Sequence, residues 1–222
     1  MSGAGGPFYD RYFVEGRAEW LMRIGHVEGA PVLFIPPLFE EMNRTRALVV
    51  AVMRGLAQEG FCCWLPDLPG TGESERALEA CSWDEWREAA LAASDRVRSG
   101  EPLLVASLRG GALLDDIPQA AHWRFSPAEG RSLLRDLDRS GLTGGDGAAG
   151  YRLPPSLASG LAGASPAEVV PCRTVRLAVD PKPADTKLDG PALWRRSEPA
   201  TSSELAQLMV SDLTDWAHEC AS

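Results

Sequence analysis

The residues with the strongest chemical implication are Ser107-Leu108-Arg109-Gly110-Gly111-Ala112. They follow an apolar run, Pro102 to Ala106, and lead into Ala112-Leu113-Leu114, so a strand, a sharp turn and a helix are expected in that order. In that setting a G-x-S-x-G turn presents a serine for attack on an acyl carbon, with glycines where a Cβ would crowd the bend. Laid over the pattern, Ser107 stands at the first glycine, Arg109 at the nucleophile and Gly111 at the last glycine. A guanidinium stays protonated and only donates hydrogen bonds, so it cannot attack carbon. A second register places Leu108 at the nucleophile. Only a third, with Val105 and Arg109 at the glycine positions, makes Ser107 the nucleophile.

The elements that must hold this turn are legible around it. Residues 8–14 and 19–24 mix aromatic and aliphatic side chains with charges, as antiparallel strands near a sheet edge do. Residues 31–35, 61–65 and 103–106 are continuous apolar runs, expected of strands buried on both faces. A helix is expected from Asn43 to Glu59, with Leu48, Ala51, Val52, Gly55 and Leu56 on one face and Gly60 closing it. Ser82 and Glu85 form a capping box that opens a second helix ending near Arg98, and Thr201 with Glu204 a third. Residues 174–179 read as a late strand and 181–190 as a polar loop. Alternating strands and helices argue for an α/β fold, a mostly parallel sheet flanked by helices. Residues 118–168 carry no clear buried strand. They read as a small, irregular or helical, cap-like insertion, with helix starts at Ser126-Pro127 and Ser165-Pro166 and a flexible stretch over 141–150.

At 222 residues the chain is long enough for one domain with a sizeable core, so 1–222 is read as a single domain. Its net charge of −9 and lack of a long basic cluster argue against nucleic acid as a partner. No apolar run reaches the roughly 20 residues of a membrane span, and residues 1–7 lack the basic and apolar regions of a signal peptide. A cytoplasmic location is expected. Cys62, Cys63, Cys81, Cys172 and Cys220 form no C-x-x-C pair, so free thiols are expected, with no metal and no cofactor.

Three features together resemble the α/β-hydrolase superfamily. They are Pro36-Pro37 after a buried strand, the loop Asp67-Leu68-Pro69-Gly70-Thr71-Gly72-Glu73-Ser74, similar to D-x-P-G-x-G-x-S, and the turn around Arg109. The resemblance narrows over Phe34 to Arg46, which looks like the P-P-F-x-E-E-M-N-K-x-R segment of exosortase A system-associated hydrolases, type 2. That group carries a G-L-R-L-G-A turn, from which this chain departs at Ser107 and Gly110. Gly190-Pro191-Ala192-Leu193-Trp194 resembles its terminal segment. The likeness covers residues 8–115 well and 150–217 loosely. It implies the α/β-hydrolase fold and a setting beside exopolysaccharide export and surface-protein processing, in which a protein of that pathway is a partner.

A hydrolase of this kind needs a serine, a histidine base and an orienting acid. The base is expected near residues 191–200, where there is no histidine. His26 lies on an early loop and His218 at the far end of the last helix. His122, placed in the insertion, is the best outside candidate, since a cap can hang over the turn. Asp180 is the natural acid, with Asp185 behind it. The catalytic candidates are therefore Ser107, His122 and Asp180, and the triad is incomplete.

Arg109 supports two further readings. With Gly110-Gly111 at a helix N-terminus it makes an anion site, a planar fork for carboxylate or phosphate. It can instead pair internally with Glu40 or Glu41. A buried unpaired guanidinium is costly, so an anionic partner of some kind is expected. Asn43 can cap the following helix, and the two glutamates suit its first turn. Leu38, Phe39, Glu40, Glu41, Asn43, Arg109 and Gly110 are the candidate binding residues. Two functions remain open: a catalytically degenerate protein binding a small anionic or polar ligand or partner, and a serine ester or amide hydrolase using Ser107.

Overall fold

The computed structural model describes residues 6–98, 100, 102–139 and 153–221. The strands are β1 (Phe8–Val14), β2 (Arg17–Ile24), β3 (Ala30–Ile35), β4 (Phe61–Pro66), β5 (Leu103–Leu108), β6 (Ala120–Phe125), β7 (Cys172–Leu177) and β8 (Thr186–Leu188). The helices are α1 (Glu40–Gln58), α2 (Trp83–Val97), α3 (Gly130–Arg139), α4 (Pro155–Gly163) and α5 (Ser203–Ala221). Among the described residues the strands form one sheet in the order β1-β2-β4-β3-β5-β6-β7-β8. β2 is antiparallel to β1 and β4, and the pairings from β4 through β8 are parallel.

The pleat sends successive side chains to opposite faces. On β3, Leu33 and Ile35 enter the core layer under α2, while Val32 and Phe34 enter the layer under α1 and α5. On β5, Leu103 and Val105 go to the α2 side and Leu104, Ala106 and Leu108 to the other. This two-sided burial explains why these strands read as unbroken apolar runs. Ser107 falls by the same parity on the α2 side.

The turn-rich loop after β4 is a self-locking module. Asp67 accepts a hydrogen bond from the Glu73 amide at 3.0 Å and one from Arg46 at 3.3 Å. Its carbonyl accepts from the Tyr12 hydroxyl at 2.7 Å, and the Pro69 carbonyl accepts from Trp86 Nε1 at 2.9 Å. Gly72 has φ +54 and would place a Cβ 2.4 Å from the Asp67 carboxylate, so both its backbone and its surroundings require glycine.

Several expectations need correction. The sheet includes β6, inside the stretch read as strandless insertion, and β8, inside the expected polar loop. No helix starts at Ser165; residues 164–169 have no regular structure, while α4 precedes them and α3 starts at Gly130 rather than Ser126. The flexible stretch expected over 141–150 lies outside the described residues. α1 begins at Glu40, three residues before the expected cap, so Asn43 sits within its first turn and donates to Glu40 Oε2 at 3.2 Å. The Ser82–Glu85 capping box is present in full. At α5 the cap is Ser202, whose hydroxyl accepts from the Leu205 amide at 3.3 Å.

Candidate functional site

β5 ends at Leu108, and the chain reverses at Arg109 with φ +53. A left-handed conformation at a non-glycine residue costs on the order of 1–3 kcal/mol and persists only where the surroundings enforce it. The enforcement is visible at Gly111, where a Cβ would lie 2.4 Å from the Ile35 carbonyl oxygen and 2.7 Å from that of Pro36. The turn is thus pressed against the end of β3. The expected helix after the turn is absent. Arg109–Leu113 form a single 3₁₀ segment, and Asp115, Asp116 and Pro118 carry the chain to β6. The helix N-terminus expected to favour an anion is therefore missing, and the guanidinium is the positive element there.

Arg109 closes a fork on Glu41 of α1. Its Nη2 donates to Oε1 at 2.9 Å and its Nε to Oε2 at 3.2 Å. Its Nη1 donates to the Ser126 carbonyl at 3.1 Å, and the guanidinium lies over the Trp194 ring, 4.6 Å from its centre. Burial pushes the Glu41 carboxyl up from its ordinary value, and Arg109 pulls against that shift. Of the two expected partners, Glu41 takes Arg109, while Glu40 faces Arg44 at 3.9 Å.

These residues line a crevice of about 890 Å³ at the carboxyl ends of the parallel strands, where ligands of open α/β sheets bind. Leu38, Phe39, Glu40 and Glu41 form one wall, and Phe39 packs on Trp86 with ring centres 5.4 Å apart. α3 contributes Leu133 and Leu137, and the segment after β8 contributes Trp194. Gly110 lies beneath, where a Cβ would meet Leu38 and Leu133. Of the seven candidate binding residues, Asn43 and Gly110 are not on the crevice wall.

The catalytic candidates are dispersed. Ser107 is fully buried, and its hydroxyl donates to Asp115 Oδ2 at 2.6 Å. Arg124 of β6 holds both oxygens of the same carboxylate, Nε to Oδ2 at 2.8 Å and Nη2 to Oδ1 at 2.7 Å. His122 belongs to β6 rather than to a cap and is 2% exposed. Burial lowers its pKa, against the pull of Asp115. Asp180 does lie on the crevice, but it accepts from Arg176 at 2.9 Å and from the Lys182 amide at 3.0 Å. Burial alone would raise its pKa, and these two partners outweigh burial and lower it. His26 and His218 are exposed. Among the described residues, no cluster of His, Cys, Asp and Glu could hold a metal ion, and no helix is long and apolar enough to cross a membrane.

Sequence reasoning missed Trp194, Ser126, Arg176 and the Asp115–Arg124 pair. The two aspartates after the turn and the arginine among Ala120, Ala121, Trp123 and Phe125 were the available signal for that pair.

No family model matches the chain. Over 89 residues it is 34% identical to palmitoyl-protein thioesterase ABHD10, mitochondrial, of Bos taurus, a match covering 37% of this chain. That segment spans only 26% of the thioesterase. The structure of alpha/beta hydrolase domain-containing protein 10 from mouse superposes with a TM-score of 0.64 at 15% identity, covering 96% of this chain and 99% of that one. A protein described as a hydrolase from Agrobacterium vitis gives 0.62 at 16% identity, over 95% and 98%. This chain has the α/β-hydrolase fold. In this chain Arg109 directly follows the end of β5, and Ser107 is the last but one residue of that strand.

Proposed function

We propose that this α/β-hydrolase-fold protein binds a small anionic or polar ligand in the crevice above Arg109, without serine-based hydrolysis. The observation that carries the reading is the placement of Arg109. The strained position that would expose a nucleophile holds a protonated guanidinium already engaged by Glu41. Supporting it, the Ser107 hydroxyl donates to a carboxylate rather than to an imidazole, so it lacks the base that would activate it. The likeness of Phe34 to Arg46 to exosortase system-associated hydrolases supports a ligand or protein partner drawn from exopolysaccharide or surface-protein processing.

A fluorophosphonate probe, which labels activated serines, tests this reading. Folded protein is expected to stay unlabelled by intact mass. An adduct mapped to Ser107 and lost in Ser107→Ala would overturn it in favour of an ester or amide hydrolase.

A further inference from the structure

We propose that the ligand of this crevice is an amphipathic carboxylate, and that Glu41 is its internal stand-in, released from Arg109 when the ligand binds. The inference rests on the binding reading above and adds the ligand's class and the contact that regulates its entry.

The head group follows from what Arg109 already holds. Its Nε and Nη2 grip a carboxylate side-on, a geometry planar guanidinium groups favour. The site therefore fits a carboxylate sterically, because one is in it. That carboxylate reaches Arg109 from an adjacent wall of the crevice, and its burial disfavours the charged form it must keep to hold the pair. An incoming carboxylate can replace it on the same fork. Glu41 then has Arg44, also on the crevice wall, as an alternative positive neighbour.

Two buried donors lie in the same walls. Trp194 Nε1 and the Ser126 hydroxyl have no hydrogen-bond partner, and both residues line the crevice. An indole nitrogen donates only and a hydroxyl can donate, so an oxygen acceptor is the partner each lacks.

The body of the ligand follows from the walls. Leu38, Phe39, Leu133, Leu137, Leu177 and Trp194 give the crevice an apolar lining, and its volume of about 890 Å³ suits a medium-length chain or an aryl group. Acidic residues and the cations Arg44, Arg139, Arg176, Lys182 and Arg195 share the wall, so inorganic phosphate is the probe that separates a carboxylate site from a general anion site. An uncharged ligand gains nothing from Arg109 while Glu41 remains in place.

Calorimetric titration with decanoate, decanol, acetate and inorganic phosphate tests the assignment. Decanoate is expected to bind more tightly than the other three by about tenfold or more, and Glu41→Gln to tighten decanoate by a similar factor by removing the charged competitor. Arg109→Gln leaves Glu41 unmatched, so the Arg109→Gln/Glu41→Gln pair is used to remove the fork, with far-UV circular dichroism as the check on folding. It is expected to lose the preference for decanoate over decanol. Equal affinity for decanol and decanoate, or no gain in Glu41→Gln, overturns the carboxylate assignment and leaves ligand binding standing. No binding of any probe, with a fluorophosphonate adduct on Ser107, overturns both. If Glu41→Gln fails to fold, the wild-type comparison of decanoate with decanol decides alone.

Discussion

Arg109 and Glu41 meet across the crevice as a two-point ion pair, Nη2 to Oε1 at 2.9 Å and Nε to Oε2 at 3.2 Å, with side chains 13% and 12% exposed. At that degree of burial the pair differs from a surface salt bridge. Removing one partner strands the other charge in a site with little access to water. Arg109→Ala is therefore expected to destabilise the fold by about 3–5 kcal/mol, while Arg109→Met/Glu41→Leu, which removes both charges and keeps volume, costs much less. Urea unfolding of both variants decides. Equal losses in the single and double variants would mean that the pair is solvent-screened and contributes little.

Ser107, Asp115 and Arg124 form a second buried unit, directly beneath the turn. Asp115 is fully buried and has two contacts to Arg124 besides the one from the serine hydroxyl. Ser107→Ala should then cost about 1.5–3 kcal/mol, the range for a hydrogen bond to a charged group. Arg124→Leu leaves Asp115 without its cation and should cost about 3–5 kcal/mol. Denaturation midpoints should therefore fall in the order wild type, Ser107→Ala, Arg124→Leu. A reversed order would show that Asp115 is held mainly by the serine.

The same unit explains which parts of the fold could be read in the sequence. β3, β4 and β5 are buried on both faces and carry apolar side chains on both, so their runs are continuous and visible. β6 is buried too, but its α2-side positions are His122 and Arg124, and the polar partner of Arg124 lies nine residues away in a turn. Its pattern therefore reads as surface, although Trp123 and Phe125 fill the opposite layer. The helix expected after Arg109 was read from Ala112, Leu113 and Leu114. Those side chains are buried as a helix face would be, yet Asp115 turns inward to meet Arg124 and Pro118 stops any continuation. An anionic partner for Arg109 followed from the cost of burying a guanidinium. The ring beneath it did not, because Trp194 reaches Arg109 through the sheet topology and no local spacing records that meeting.

Gly72 gives a backbone test of the loop that resembles D-x-P-G-x-G-x-S. Alanine there combines φ +54 with a Cβ 2.4 Å from the Asp67 carboxylate, which is itself fixed by the Glu73 amide and Arg46. Gly72→Ala is expected to cost about 1–3 kcal/mol through strain and overpacking. Gly60→Ala also places alanine at positive φ but meets nothing within 4 Å, so it should cost less. Comparing their melting temperatures separates conformational strain from the clash; equal losses would show that Asp67 can move aside.

Glu19 carries the clearest pH signature. It lies on β2 opposite Tyr12 and is 1% exposed. Burial raises its pKa above the ordinary value of 4.5, and the nearby Ser74 hydroxyl and Arg76 only partly oppose that. Between the ordinary and raised values, the folded protein holds a proton that the unfolded chain has released. Stability therefore falls as pH rises through that window, and the loss persists above it. Glu19→Gln has no proton to lose. It should match the wild type at about pH 4 and exceed it by about 1–3 kcal/mol at about pH 7, where the wild type must bury a charge. Urea unfolding of the two proteins at both pH values provides the comparison. A difference that does not change with pH would show that Glu19 keeps its ordinary titration and that Arg76 matches its charge in the fold.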